Sequence, residues 1–276
     1  MISDTFFSLS RFVSVCRKEM VENWKPYVLR SVMVYGVLAI LFIWNGYYTY
    51  KFAGSYSAGE TDPMWVFESV LFLCGLFAWG CISASFTMER MKTKTSRLVV
   101  LMTPATMFEK FFSRWLLATF GFLVVYLIAF KMADWTRVAV YTVAYPQLDI
   151  VSSFPLWEFC TNTGSFYDAS VENGQALMFI SGYFFAQSFF LLGSVVWPKN
   201  ALVKTFAAGI CIVIVYVLVA IACIKAVVPH DLNISGGDIS EVAARNTVIT
   251  INFIFVFFNW VLAYFRFKES EIINRW

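Results

Sequence analysis

Six continuous apolar runs divide the chain, at residues 31–48, 69–86, 115–130, 176–197, 206–224 and 248–264. Each approaches the roughly 20 residues that a helix needs to cross the hydrocarbon layer, with flanking residues completing the shorter ones. None alternates residue by residue, as a membrane barrel strand must. Backbone amides in lipid have to bond within their own segment, which favours helices. The pattern predicts an all-α integral membrane protein with six transmembrane helices.

The stretches between the runs have patterns of their own. Over residues 1–27, Phe6, Leu9, Phe12, Val13, Cys16, Met20 and Trp24 recur at steps of three and four, with Arg11, Lys18, Glu19, Glu22 and Lys25 on other faces. This spacing predicts an amphipathic helix lying in the membrane interface, capped near Ser3 or Asp4 and ended by Pro26. Residues 28–276 then form one six-span membrane domain. Residues 131–175 read as a long outer loop rich in acids and aromatics, with a short strand over 138–145. It is expected to make a small cap packed on the spans.

Composition agrees with a lipid setting. Hydrophobic residues are 59% of the chain, charged residues 14%, and the mean hydropathy is +0.68. A net charge of +3 says little about partners and gives no sign of nucleic-acid binding. The distribution of charge says more. With an even number of spans both termini share one side, which holds Arg11, Arg17, Lys18, Lys25, Arg30, Arg90, Lys92, Lys94, Arg97, Lys110, Arg114, Lys199, Lys204, Arg266, Lys268 and Arg275. Only Lys51, Lys131, Arg137, Lys225 and Arg245 fall on the other. Basic loops stay cytoplasmic, so both termini are expected inside a cytoplasmic (inner) membrane. No cleavable signal peptide is evident. Cys160 is the one cysteine expected outside, which leaves it without a disulfide partner there.

The connection over residues 87–114 is basic and also apolar, and it is expected to face the cytosol. Thr103-Pro104 reads as an N-cap followed by a proline in the first helical turn. Thr106 and Glu109 have the spacing of a capping box, with Glu109 at the positive helix end. Met107, Phe108, Phe111 and Phe112 would form the apolar face. One reading is a surface helix that merely leads into the third span; the other is a docking element.

The segment also carries a family resemblance. Glu89-Arg90, the run from Ser96 to Thr106 (SRLVVLMTPAT), Glu109-Lys110 and Arg114-Trp115 resemble the corresponding stretch of type-2 ABC transporter permeases. The six spans, the interfacial N-terminal helix and the inside termini are similar too. The resemblance implies a half-channel that pairs with a second permease copy and binds a separate ABC-type ATPase subunit. It implies export, here of an apolar or amphipathic compound. Residues 97–112 would be the coupling helix, with Arg97, Pro104, Met107, Phe108, Glu109 and Lys110 meeting the ATPase. No cofactor would be held directly; ATP would be bound by the partner.

Other polar and charged residues admit plainer roles. No Gly-Lys-Ser/Thr tripeptide occurs, so the chain is not expected to hydrolyse ATP. His230 is alone in an outer loop, without catalytic partners and without metal-ligand spacing. Asn233-Ile234-Ser235 matches a glycosylation sequon. Glu68 borders the second run as either a snorkelling or ion-paired residue or an outer gate. The six apolar cores contain no charge, which argues against proton-driven transport. Asn252 and Asn259 share a helix face and Gln187 lies mid-span; they either pack helices or line a pathway. The rival to transport is a membrane sensor or scaffold that signals through the amphipathic inner segment.

Overall fold

A computed structural model describes residues 6–51, 62–147, 150–161, 175–227 and 241–270. Ten α-helices are present among them: α1 (Leu9–Glu22), α2 (Trp24–Lys51), α3 (Met64–Ser85), α4 (Lys94–Leu101), α5 (Met107–Leu116), α6 (Phe122–Ala144), α7 (Leu156–Thr161), α8 (Gln175–Val196), α9 (Ala201–Val227) and α10 (Glu241–Glu269). A 3-10 turn lies at Glu89–Met91, and a π turn at Leu117–Gly121 joins α5 to α6. Six segments are long and apolar enough to cross a bilayer: Trp24–Lys51, Met64–Met91, Met107–Ala144, Leu177–Val196, Ala201–Val219 and Val242–Glu269. The chain is thus a multi-pass, all-helical membrane protein. His230 and the Asn233 sequon lie outside the described residues.

Three local expectations change. The strand expected over 138–145 is helical, because α6 runs on to Ala144. Val138, Val140, Thr142 and Val143 favour strands locally, but Ala133, Asp134, Arg137 and Tyr141 are buried at helical spacing. Burial on one stripe outweighs a weak local preference. The loop expected from residue 131 therefore begins only beyond Ala144. Pro26 does not end α1. The break falls at Asn23, and Pro26 sits in the first turn of α2, where its missing N–H costs nothing. The single coupling helix expected over 97–112 is two helices, with Pro104 in the gap between α4 and α5. Thr106, rather than Thr103, is the N-cap, and its capping box with Glu109 is complete.

The chain divides into two compact units. One comprises Met1–Gly80 and Ala105–Ala176, the other Cys81–Pro104 and Leu177–Trp276. In the first, α2 and α6 pack along their length. The Phe42 and Phe130 rings meet edge to face at 5.4 Å, and Tyr35 and Thr136 share a hydroxyl hydrogen bond of 3.1 Å. Gly46 leaves room for the Tyr141 ring, whose hydroxyl donates to the Ile43 carbonyl. Tyr126 donates to the Phe72 carbonyl of α3 at 2.8 Å, passing close to Gly75. Small residues where backbones or rings approach closely are the usual solution in lipid.

In the second unit, α8 and α10 are joined by two like hydrogen bonds. Asn252 and Asn259 donate to Ser181 and Ser188 at 3.1 Å each. α8 and α9 meet at Gly193, where a Cβ would collide with Thr205. The connection between them holds Asn200 at φ 59°, a left-handed conformation that asparagine tolerates. From Phe206 to Val219, α9 leaves almost every side chain exposed.

Candidate functional site

Two sites stand out, both within the first unit. The first is built around Arg137, which is completely buried. α6 places Lys131, Asp134 and Arg137 one helical turn apart, so they share a face. Asp134 Oδ1 accepts from Arg137 Nη2 at 2.8 Å, and Asp134 Oδ2 accepts from Lys131 Nζ at 3.0 Å. Asp62, just before α3, accepts from Arg137 Nη1 at 2.9 Å. Its oxygens also accept from the Tyr50 hydroxyl, the Met64 amide at 3.0 Å and the Ser152 amide at 3.2 Å. Arg137 donates to Tyr50 as well. Glu68 Oε1 lies 2.6 Å from Arg137 Nε. The site thus joins the end of α2, the start of α3 and the second half of α6.

Residues 150–155 lie across this cluster as a strap. Arg137 Nη2 donates to the Ser152 carbonyl at 2.7 Å, and the Phe154 amide donates to Asp134 Oδ2 at 3.0 Å. Lys131 donates to the Phe154 carbonyl at 2.7 Å. Ser152 and Phe154, two residues apart, each turn both backbone groups to the cluster. The Phe154 ring is buried against Phe130 and Phe159, at 5.8 and 5.4 Å. Charges taken fully out of water must be paired and hydrogen-bonded, and this site does so for all but Glu68. Removing one partner of such a network costs about 3–5 kcal/mol.

The second site is the junction of α1 and α5. Glu109 is completely buried and sits at the N-termini of both helices. Its Oε2 accepts from the Thr106 amide at 3.0 Å, closing the capping box of α5. Its Oε1 accepts from the amide of Ser8, the N-cap of α1, at 2.8 Å, and from Arg11 Nη2 at 3.1 Å. One carboxylate therefore satisfies orphan amides of two helices and sits at two positive dipole ends. Arg114 donates to Glu19 from Nε at 3.0 Å and from Nη2 at 2.7 Å, a second clamp further along. Between the clamps, Phe108 and Phe112 stack on each other at 5.4 Å, and Phe6 and Phe12 lie 5.0 and 5.3 Å from them.

The residues proposed to meet a partner thus separate. Glu109 and Lys110 are buried within the chain, and Phe108 packs against the α1 end. Met107 is half-buried and lies 4.0 Å through Sδ from Lys110 Nζ. Arg97 is half-buried and donates to the Met91 carbonyl at 3.3 Å. Pro104 is exposed, and so is the end of α4: Leu98 is 59%, Val99 54% and Met102 81% exposed. Asn252 and Asn259 join helices, and Gln187 is buried.

The sequence reading allowed Glu68 an ion pair or a gate role but missed Asp62, Asp134, Arg137 and Tyr50 as members of the same cluster. It also took the third span to end before Lys131, so its charge-free core was too short. One signal was present. Lys131, Asp134 and Arg137 alternate in sign at i, i+3 spacing directly after an apolar run, a helical pattern rather than a loop pattern. Comparison with models of known protein families, with curated proteins and with solved structures gives no match.

Proposed function

We propose that this six-span protein is the membrane subunit of an ATP-driven transporter of the type-2 ABC kind, exporting an apolar or amphipathic compound. The observation that carries this reading is the end of α4. Leu98, Val99 and Met102 project exposed between two membrane-crossing segments, beside exposed Lys92 and half-buried Arg90 and Arg97. Exposed apolar groups ringed by cations suit an apolar cleft with an acidic rim on a cytosolic partner. The sorting of basic residues favours placing this end, and both termini, in the cytosol.

In this reading a separate ATPase subunit grips the α4 end, with Arg97 and Pro104 beside the contact. Met107, Phe108, Glu109 and Lys110 hold α5 to α1. α1 lies along the inner leaflet, with Leu9, Val13 and Met20 forming one exposed apolar stripe. It runs into α2 after a single intervening residue, Asn23, which keeps it at the membrane surface. The exposed faces of α9 support a lipid boundary or a second permease copy. ATP is held and hydrolysed by the partner, and Glu68 belongs to the gate at the opposite end.

The test is purification of the tagged full chain from its native membrane, with identification of the proteins it retains. The wild-type protein is expected to retain a stoichiometric ATPase. The double substitution Leu98→Asp and Met102→Asp is expected to release it at unchanged melting temperature, since neither side chain is packed. Full retention by that variant rejects the α4 contact. A stoichiometric kinase in place of an ATPase favours signalling.

A further inference from the structure

The Arg137 cluster has one feature that neither packing nor transport requires. It holds three buried carboxylates, Asp62, Glu68 and Asp134, against Arg137 and the partly exposed Lys131. Their hydrogen-bonding differs. Both oxygens of Asp62 and both oxygens of Asp134 accept from named donors. These two are satisfied as anions. Glu68 is completely buried, yet among the described residues neither of its oxygens has a hydrogen-bond donor. Arg137 Nε comes within 2.6 Å of Oε1, but its N–H is not directed at it. An ionised carboxylate buried without donors is among the most costly arrangements in a protein, and neutralisation relieves it.

We propose that the cluster is a proton-binding site and that the proton resides on Glu68. A carboxylate oxygen of Glu68 takes one proton from solvent and becomes a neutral carboxylic acid. No other bond changes. Two anions, Asp62 and Asp134, then balance two cations, Arg137 and Lys131. Loss of the proton leaves a net negative charge within the cluster. The other groups facing the site are the Tyr50 hydroxyl on α2 and the Ser152 and Phe154 backbone of the strap. The strap is bound through Asp62, Asp134, Arg137 and Lys131, so the added charge loosens it.

The proposal stands on the cluster alone and does not rest on the ATPase reading.

The test uses the full chain in lipid nanodiscs. Infrared difference spectra taken across a pH step are expected to show the carbonyl stretch of a protonated carboxyl near neutral pH. Glu68→Gln, which keeps the side-chain shape, is expected to remove that band. In a background with the native cysteines replaced, maleimide labelling of Ser153→Cys is expected to speed up with pH by several-fold more than thiolate formation alone gives, and Glu68→Gln is expected to leave only that intrinsic rise. No such band in the wild type, or a band that survives in Glu68→Gln, overturns the proposal. The wild-type spectrum decides the matter even if the variant fails to fold.

Discussion

The junction of α1 with α5 and the cluster around Arg137 both bury a glutamate beside an arginine, but by different means. Glu109 is surrounded mainly by backbone amides at two helix N-termini, with Arg11 as an additional donor. Those amides have no partners within their helices, so the carboxylate removes a cost already present. Arg137 is surrounded by side chains from three segments plus a strap, and one of its acids has no donor. A carboxylate held by helix ends is stable by itself. A carboxylate held in a crowded ion cluster depends on every neighbour, and on a proton.

The contrast is sharpest under substitution of Arg137. Arg137→Met leaves three carboxylates facing Lys131 alone and frees the Ser152 carbonyl. The expected loss is about 3–5 kcal/mol or more, read as a collapse of folded yield and melting temperature in detergent. A near-normal melting temperature would show that the cluster contributes little and would erase the distinction. Glu109→Ala is expected to cost less, about 1–3 kcal/mol, by unmaking a capping box and a buried acceptor. Its signature is local. Hydrogen exchange should accelerate in α1 and the first turn of α5, while α2 and α6 stay protected. If α1 exchange is unchanged, the aromatic stack of Phe6, Phe12, Phe108 and Phe112 holds the junction without Glu109. Asn259→Ala supplies the uncharged baseline. Its single bond to Ser188 within a lipid-facing pair of helices is expected to contribute about 0.6 kcal/mol, a small melting shift. A loss as large as that of Arg137→Met would mean that charge is not what makes the cluster critical.

The two sites also differ in how far they could be read from residues alone. Thr106 and Glu109 are three apart, and a capping box is a local rule, so that half of the junction was visible in advance. Its other half was not, because Ser8 and Arg11 lie about a hundred positions away, and nothing local brings them to Glu109. Pro26 and Pro104 were read as a stop and a start, yet one lies inside a first turn and the other in a gap. Proline marks a break only to within a few residues, and neighbouring caps and packing decide where it falls. For the cluster, the i, i+3 charges of α6 were legible in principle, but the β-branched run after Arg137 masked them.

Hydropathy alone determined the six membrane-crossing helices and the all-α class, because lipid forbids unpaired backbone and leaves few alternatives. Only the tertiary structure decided that Glu109 faces inward while Leu98 and Met102 face outward. It also decided that Glu68, Asp62 and Asp134 converge on one arginine. Hydrophobic burial is summed along a segment and can be read from its composition. The pairing of buried charges depends on which distant atoms come within about 3 Å, and that is a property of the folded chain.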